Sequence, residues 1–504
     1  MRREASMLGG ALQNALGGSG RLLFGFLLAL LLGRLLGAEG LGIYMIAVAV
    51  AGLLEAIAES GPRTATVRYV AHVLAAGESA RARRVLRTAL ALAGGVGLVL
   101  TVAALVLTEP AVRQLLPSPD IPQRQLIWGL AVVSSLPLAL TAVLLAATRG
   151  AGRMGPTNLT DGLVVPVARI VLFLPLFTLG LAEVAALWSY FLAALTGLGL
   201  AWWFARRALP DGRSGWEWKE VVPYASAQGG SGVLDVALFW ADTLIIAALL
   251  AEGDVGVYGA AVRLALIPTL FLTAFNTAFQ PWAASLWAGG DRLGLGSLYR
   301  RVTRLVTALS VPFYLLLAAF PAPLLGVFGT EFPSGATVLR ILAFGQIINV
   351  VTGPGANLLA MTGFPVWNFW NNALLLILNV ATNFLLIPRL GIEGAAWAWA
   401  GSLLVVNVAR LVEARLLTGL LPFDRRLARV LVLGLAGVAL LAVLRPWRVE
   451  DLGLAVALGV AFGVLWLIAL PVVLPSEDRL LVRDLFKAPR GGDGPAPEPA
   501  APER

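Results

Sequence analysis

The sequence predicts an all-α polytopic membrane protein with about 14 transmembrane helices, and three observations lead to this fold class. Of the 504 residues, 58% are hydrophobic and 13% are charged, whereas soluble domains carry roughly 25% charged residues. The mean hydropathy is +0.83. Apolar segments of about 20 residues, the length that crosses a bilayer, follow one another along most of the chain.

The segments can be delimited in order, although proline and glycine blur several boundaries. They are approximately 12–36, 41–62, 86–107, 125–148, 157–179, 183–205, 222–250, 255–283, 302–326, 334–360, 366–388, 393–417, 428–444 and 452–474.

Four regions follow from these segments. We expect an N-lobe of spans 1–6 at 1–208 and a C-lobe of spans 7–12 at 209–420. Spans 13 and 14 at 421–475 form a C-terminal helix pair, and the tail at 476–504 is rich in Pro, Gly and Ala. Such a composition cannot bury a core, so the tail is expected to be disordered.

The distribution of basic residues predicts the orientation. With a cytoplasmic N-terminus, most of the 38 Lys and Arg residues fall in cytoplasmic segments. The opposite loops hold only Arg34, Arg113, Arg124, Arg389, Arg445 and Arg448. Cytoplasmic loops carry the excess of basic residues, so both termini are predicted to be cytoplasmic. Because the arginines form no separate basic domain, the net charge of +9 does not indicate a nucleic-acid partner.

Four short matches at offsets of about 211–214 residues indicate an internal repeat. GGSG at 17–20 recurs at 229–232, and Gly-Ile-Tyr at 42–44 matches Gly-Val-Tyr at 256–258. LLAAT at 144–148 matches LLAMT at 358–362, and LGL at 179–181 matches LGI at 390–392. With an even number of spans in each lobe, the repeats are parallel, and repeat transporters bind substrate where such lobes meet.

Several kinds of chemistry are excluded by what the sequence lacks. With no Cys and a single His, disulfides, thiolate metal sites and His-based catalysis are absent. No phosphate-binding G-x-x-x-x-G-K-[ST] loop occurs. We therefore expect a protein that is not an enzyme and holds no cofactor.

Charges inside apolar spans are costly, so they usually face a protein interior or a water-filled cavity. In the N-lobe these charges include Arg21, which follows GGSG in span 1, and Arg169 in span 5. In span 2, Glu59 and Arg63 are spaced to form an ion pair on one helix face. Glu55 lies deeper on the same face and is a candidate for ion coupling.

In the C-lobe, Asp235 and Asp242 lie seven residues apart in span 7, and Arg263 lies in span 8. An Asp242–Arg263 ion pair between these neighbouring helices is the structural alternative to a role in transport. The register of the repeat also leaves open a pair between Arg21 and Asp235. Both aspartates are candidates for ion coupling.

Spans 10 and 11 supply the remaining candidates. Arg340 lies in the outer third of span 10, and Gly-Pro-Gly at 353–355 is expected to break that helix. Span 11 carries Asn371, Asn372 and Asn379. An asparagine-lined face suits sugar hydroxyls, although asparagine also joins helices together in membranes.

Two stretches resemble the oligosaccharide flippase family of the multidrug/oligosaccharidyl-lipid/polysaccharide exporter superfamily. The first is 31–71, with an R-x-L-G-x-x-x-x-G-x-Y turn, a glycine near the span end and an Arg-Tyr exit. The matching residues are Arg34, Leu36, Gly37, Gly42, Tyr44, Gly61, Arg68 and Tyr69. The second stretch, 241–264, is similar to the family's motif in spans 7 and 8.

The resemblance implies a two-lobed, V-shaped transporter in the bacterial inner membrane. Its implied substrate is an undecaprenyl-diphosphate-linked oligosaccharide, moved from the inner to the outer leaflet by alternating access. We expect Arg21, Arg169, Arg263 and Arg340 to bind the diphosphate and the span 11 asparagines to contact sugar. A Na⁺ or H⁺ gradient is a candidate driving force, polysaccharide-assembly proteins are candidate partners, and a monomer is expected.

Three alternatives remain open from the sequence. One is a peptidoglycan-precursor flippase, although span 1 lacks the closely spaced arginines expected in that branch. Another is a multidrug/cation antiporter of the same superfamily, in which acidic rather than arginine-rich cavities are typical. The third is a membrane scaffold without transport, which would not need charged residues in its interior.

Overall fold

The structure is a computed structural model that describes residues 2–117, 120–209, 215–444, 451–474 and 478, with side chains from Gly20 onward except at 442–444 and 472. Within these ranges every regular element is helical. The predicted all-α fold is therefore confirmed. The tail at 476–504 lies outside the described residues, apart from Asp478.

The first half of the chain contains seven α-helices and two π-helical turns in its described part. They are α1 (Arg2–Ala75), α2 (Ser79–Val106), α3 (Thr108–Leu115), α4 (Ile121–Gly150), α5 (Gly155–Leu159), a π turn (Thr160–Val164), α6 (Val165–Leu176), a second π turn (Phe177–Leu181) and α7 (Ala182–Ala208).

The second half is helical in the same way. Its elements are α8 (Trp218–Leu249), α9 (Glu252–Leu266), α10 (Thr269–Ala288), α11 (Arg292–Ala319), α12 (Pro321–Gly326), a 3₁₀ turn (Phe332–Gly335), α13 (Ala336–Thr352), α14 (Gly355–Met361), α15 (Pro365–Leu390), α16 (Ile392–Glu413), a π turn (Ala414–Thr418), α17 (Arg425–Leu444) and α18 (Leu452–Val473).

Ten of the described helical runs are long and apolar enough to cross a membrane, or eleven if the pair α9 and α10, bent by 48°, forms one span. Two of these runs are 56 and 54 residues long. At about 1.5 Å per residue, either is more than twice the thickness of a bilayer core. Each contains a glycine with left-handed backbone, Gly37 (φ 72°) and Gly180 (φ 84°). Each run therefore turns at that glycine and is long enough to hold two spans. The predicted count of about 14 spans is approximate.

The predicted break in span 10 is confirmed. Helix α13 ends at Thr352, Gly353 adopts φ 70°, and α14 begins at Gly355. A residue with a Cβ is strained in this left-handed region, and a Cβ on Gly353 would also lie 2.0 Å from the Thr303 hydroxyl oxygen.

The repeats meet at a pair of equivalent glycines. A Cβ on Gly42 would lie 1.8 Å from the carbonyl oxygen of Glu252, and a Cβ on Gly256 would lie 1.9 Å from that of Ala38. The offset of 214 residues that matches Gly42 to Gly256 also matches Ala38 to Glu252. The two contacts are thus one contact repeated by an approximate two-fold axis, as the parallel repeats predict.

Further bonds join the two halves at the face of the bundle where Gly42 and Gly256 meet. This face lies opposite the connector between the halves, and we call it the opposite face. At the Gly37 turn, the backbone N–H of Ala38 donates to Glu331 Oε2 at 2.8 Å, and Arg34 Nε donates to the carbonyl oxygen of Val327 at 2.6 Å. Nearby, Arg124 pairs with Glu252 at 2.9 Å. The opposite face is therefore closed.

The other face carries the connector between the halves, and we call it the connector face. The Glu217 carboxylate accepts bonds from Arg81 Nε at 3.1 Å and Arg84 Nε at 2.9 Å. The backbone N–H of Glu217 donates to the Thr88 hydroxyl at 2.8 Å. Burial tends to raise the pKa of Glu217, but the bonds to the two arginines outweigh burial and lower that pKa below its usual range. Helix α2 thus fixes the beginning of α8.

Candidate functional site

A cavity of about 380 Å³ is lined mostly by the first half of the chain, with Val236 and Trp240 of α8 on its wall, and contains a group of charged side chains. We call it the arginine cavity. Six charged side chains line it: Arg21, Arg63, Arg169, Glu55, Glu59 and Asp161. The structure therefore brings together Arg21, Arg169 and Glu55, which the sequence singled out separately.

Local structure explains these positions. Glu55, Glu59 and Arg63 recur every four residues of α1 and so share one face, and the predicted Glu59–Arg63 pair is confirmed at 2.9 Å. A Cβ on Gly20 would lie 2.6 Å from the carbonyl oxygen of Gly162 in the first π turn. This close packing places the next residue, Arg21, beside the π turn that carries Asp161 on the cavity wall.

Arg169 is the best-defined cation of this cavity. Its guanidinium carbon lies 4.3 Å from the centre of the Tyr190 ring, and the guanidinium also hydrogen-bonds Tyr44 and interacts electrostatically with Glu55. Its Nε is buried and bonds no acceptor among the described residues. A buried donor without a partner costs about 1–3 kcal/mol, which an anionic ligand would recover.

A second cavity, of about 220 Å³, lies in the second half. We call it the Asp242 pocket. Asp235, Asp242 and Arg263 line it together with Tyr258 and other side chains. Arg263 interacts electrostatically with Tyr44 and with Arg169, so the positive charges of the two cavities act on each other across the two halves.

Asp242 is held by hydrogen bonds. Its buried carboxylate accepts from the Tyr258 hydroxyl at 2.5 Å, from Asn379 Nδ2 at 2.9 Å and from Asn383 Nδ2 at 2.7 Å. The Asp242–Arg263 ion pair that the sequence left open is not among the ion pairs of the described residues. Asn383 is fully buried, and its Oδ1 bonds no described donor.

Helices α8 and α15 are joined by two equivalent Asp–Asn hydrogen bonds, which we call rungs. Asp235 accepts from Asn372 Nδ2 at 2.9 Å, and Asp242 accepts from Asn379 at the same distance. Both pairs are separated by 137 residues, so the two helices run parallel with seven residues between rungs. The sequence left open a pair between Arg21 and Asp235. Asp235 instead bonds Asn372 and lines the Asp242 pocket, whereas Arg21 lines the arginine cavity.

The other predicted site residues lie apart from the arginine cavity. Asn371 donates to Glu413 Oε2 at 2.6 Å, and Asn372 accepts from Arg410 at 2.8 Å. Arg340 donates from Nε to the carbonyl oxygen of Ala318 at 3.3 Å. Neither it nor the three asparagines is among the described residues that line either cavity.

Several residues of these cavities were missed by sequence reasoning. Tyr190, Tyr258 and Trp240 are aromatic residues within apolar spans, where aromatic side chains usually serve packing. The motif that placed Tyr44 and Tyr258 in equivalent repeat positions was the one available signal. Asn383, one helical turn after Asn379, donates to Asn379 Oδ1 at 3.2 Å.

The donor sets limit which metal could be held. In the part of the chain that the structure describes, no three His, Cys, Asp or Glu side chains cluster closely enough to hold a metal ion. One carboxylate with amide and hydroxyl oxygens, as at Asp242, suits at most a weakly held hard cation.

The fold and the two cavities together indicate the class of protein to which the chain belongs. The chain is a polytopic helical membrane protein built from two parallel repeats, with charged cavities lined by its spans, which is an architecture that transporters use.

The chain belongs to the polysaccharide biosynthesis protein family, whose model matches residues 8–287. The MatE model matches residues 230–385. The resemblance found in the sequence is thereby confirmed.

Two curated archaeal relatives match part of the chain. The probable low-salt glycan biosynthesis flippase Agl15 of Haloferax volcanii is 29% identical over 173 residues, which is 34% of this chain and 36% of that protein. The uncharacterized membrane protein MJ1068 of Methanocaldococcus jannaschii is 29% identical over 133 residues, 26% of each chain. The chain thus spans about a third or less of the length of these relatives.

Solved structures share the fold at low identity. The lipid II flippase MurJ in an inward closed conformation superposes with a TM-score of 0.73 at 12% identity, covering 94% of this chain and all of that one. An inward-facing multidrug resistance MATE family transporter of the MOP superfamily gives a TM-score of 0.69 at 15% identity, covering 79% of this chain and 94% of that one.

Proposed function

We propose that the protein is a flippase that carries a polyprenyl-diphosphate-linked oligosaccharide across the bacterial inner membrane, with undecaprenyl as the lipid. The observation that carries the proposal is Arg169, whose buried Nε bonds no acceptor in the described part of the chain, in a cavity that Arg21 also lines. The family assignment supports it, as do the names of two similar proteins, a glycan biosynthesis flippase and a lipid II flippase.

The arginines would supply the free energy that the headgroup needs. Hydrogen bonds to charged groups contribute about 1.5–3 kcal/mol each, and an arginine fork can bond two oxygens of a phosphate group. Arg21 and Arg169 would bind the diphosphate, with Arg263 adding positive potential from the neighbouring pocket. The polyprenyl chain would remain in hydrocarbon.

Alternating access is consistent with the closed opposite face. The positive-inside rule assigns the connector face to the cytoplasm, so the headgroup would enter from the cytoplasmic leaflet. Release would then require the Gly42–Gly256 contact and the Glu331–Ala38 bond to separate.

A cation in the Asp242 pocket is our proposal for the coupling step. Asp242 is a buried carboxylate, and a buried charge is costly unless it is paired. Na⁺ or a proton bound there would neutralise it. The fully buried Asn383 Oδ1, which bonds no described donor, is a candidate additional ligand. Asp235 on the next rung is the second candidate carboxylate, and Glu55 in the arginine cavity is the third.

Complementation tests the diphosphate site. A bacterial strain that lacks its own lipid-linked oligosaccharide flippase would receive Ala and Lys variants of Arg21 and Arg169, with Arg113→Ala as the matched control. Arg113 is exposed and pairs only at the surface with Glu109. We expect Arg169→Ala to abolish complementation and the control to retain it. Normal complementation by both Ala variants would refute the cationic site.

One observation favours a second candidate. Three carboxylates share the arginine cavity with its three arginines, and carboxylates attract cations, so export of a cationic compound by an antiporter is the alternative. Binding of a polyprenyl diphosphate that weakens in Arg169→Ala supports the flippase. Binding of an organic cation that weakens in Glu55→Gln supports the antiporter.

A further inference from the structure

We propose that Trp240 couples the two cavities: its ring forms the wall between them, so that Na⁺ in the Asp242 pocket and a diphosphate in the arginine cavity exclude each other. The inference rests on the proposed function, because it takes these two ligands as the occupants.

Trp240 has a position that no other described residue shares. It lines both the arginine cavity and the Asp242 pocket. It lies on α8 between Asp235 and Asp242, the two residues that bond α15. Its ring packs edge-on against Phe239, with ring centres 4.9 Å apart. A local shift of α8 at Asp242 would therefore move the wall directly.

The ring has no free space on the side of α1. A Cβ on Gly52 would lie 2.9 Å from Trp240 Nε1, which is closer than real Cβ contacts, so the indole packs directly on the glycine backbone. The ring also borders the Asp242 pocket, which has a volume of about 220 Å³. The ring is therefore blocked toward Gly52, and the Asp242 pocket offers space into which it can be displaced.

This geometry predicts that each ligand weakens the binding of the other. A diphosphate entering the arginine cavity would press the ring toward the Asp242 pocket. Na⁺ with its ligands in that pocket would hold the ring against Gly52. Each ligand would thus oppose the other, which is the sign that exchange transport requires. Electrostatic attraction alone would act in the opposite direction, since a nearby cation strengthens the binding of an anion.

The test measures one thermodynamic cycle on the full chain in detergent micelles. Calorimetry with farnesyl diphosphate as the probe gives its Kd in NaCl and in choline chloride at equal ionic strength. Coupling between sites typically amounts to about 5- to 150-fold in affinity. We expect Na⁺ to weaken the binding of the probe to the wild type at least about fivefold. In Trp240→Phe, whose ring is smaller, we expect the ratio to fall to within about twofold.

Two further variants sharpen the result. Trp188 packs on Phe191 with ring centres 6.0 Å apart and is not among the described residues that line the two cavities, so Trp188→Phe should keep the wild-type ratio. Gly52→Ala would push the ring away from α1, and we expect it to weaken the binding of Na⁺, measured by titrating NaCl.

The outcomes separate this inference from the proposed function. An unchanged ratio in Trp240→Phe, or unchanged Na⁺ affinity in Gly52→Ala, overturns the role of Trp240 alone. Stronger binding of the probe in Na⁺ overturns it as well. A wild type that binds the probe with no effect of Na⁺ removes the coupling but leaves the diphosphate site. A wild type that does not bind the probe removes the proposed function too.

Discussion

The contact between Gly42 and Gly256 yields the most quantitative prediction. A methyl group on Gly42 would lie 1.8 Å from the Glu252 carbonyl oxygen, whereas real Cβ contacts stay beyond 3.0 Å. Alanine at this position therefore requires the two halves to separate by at least about 1.2 Å at the opposite face. Overpacking of this kind costs about 1–3 kcal/mol.

That cost destabilises the state in which the opposite face is closed. It does not affect a state in which the two halves have separated at that face. A bias of 1–3 kcal/mol corresponds to about a 5- to 150-fold shift in population toward the open state. Because the contact is repeated by the two-fold axis, Gly256→Ala should produce a shift of similar size.

A cysteine cross-link can measure the shift, since the chain has no Cys of its own. Gln114 Nε2 lies 3.4 Å from the carbonyl oxygen of Ala248 on the opposite face, so Gln114→Cys with Ala248→Cys reports closure. Adding Gly42→Ala or Gly256→Ala should lower the cross-linking rate at least about fivefold.

Gly253→Ala is the matched control, because nothing lies within 4 Å of a Cβ at that position. It should cross-link at the rate of the parent pair. If all three glycine variants cross-linked like the parent while remaining folded, the assignment of this contact to a moving interface would be wrong.

Three other predictions concern bonds described above. Glu331→Ala removes the bond to the N–H of Ala38 and, since a lost N-terminal cap costs about 1 kcal/mol, should lower the same cross-linking rate about fivefold. Asp242→Asn should abolish the dependence of transport on an ion gradient, which transport in vesicles with and without a gradient would reveal; unaltered dependence contradicts the coupling site. Because the pKa of Glu217 is lowered, its bonds to Arg81 stabilise the fold above about pH 4.3 and are lost as the pH falls through the folded-state pKa. Thermal stability measured against pH should therefore fall more steeply below about pH 4.3 in the wild type than in Glu217→Gln.

Much of the fold was predictable, because membrane spans and repeats leave direct traces in sequence. Apolar length gave the helices, and the offset between Gly42 and Gly256 led to the residues that touch across the two-fold axis. The glycine turns at Gly37 and Gly180 separate spans that composition alone had already delimited.

The site was less accessible because sequence periodicity shows which residues share a helix face and not what that face meets. Asn372 and Asn379 do share a face, but that face meets Asp235 and Asp242 and not the arginine cavity. Arg340 is a charge within a span, as expected, yet its guanidinium bonds the backbone of α11. Trp240 gave no signal, since only tertiary structure places one ring between two cavities.

Flipping of a fluorescent polyprenyl-diphosphate oligosaccharide in proteoliposomes tests the central claim most directly. The assay compares the wild type with Arg169→Ala, Arg169→Lys and the surface control Arg113→Ala. We expect flipping by the wild type and the control, a loss of at least about tenfold in Arg169→Ala, because about 1.5–3 kcal/mol of charged hydrogen bonding is removed, and partial activity in Arg169→Lys. Flipping by Arg169→Ala at the wild-type rate, or none by the wild type, would contradict the claim.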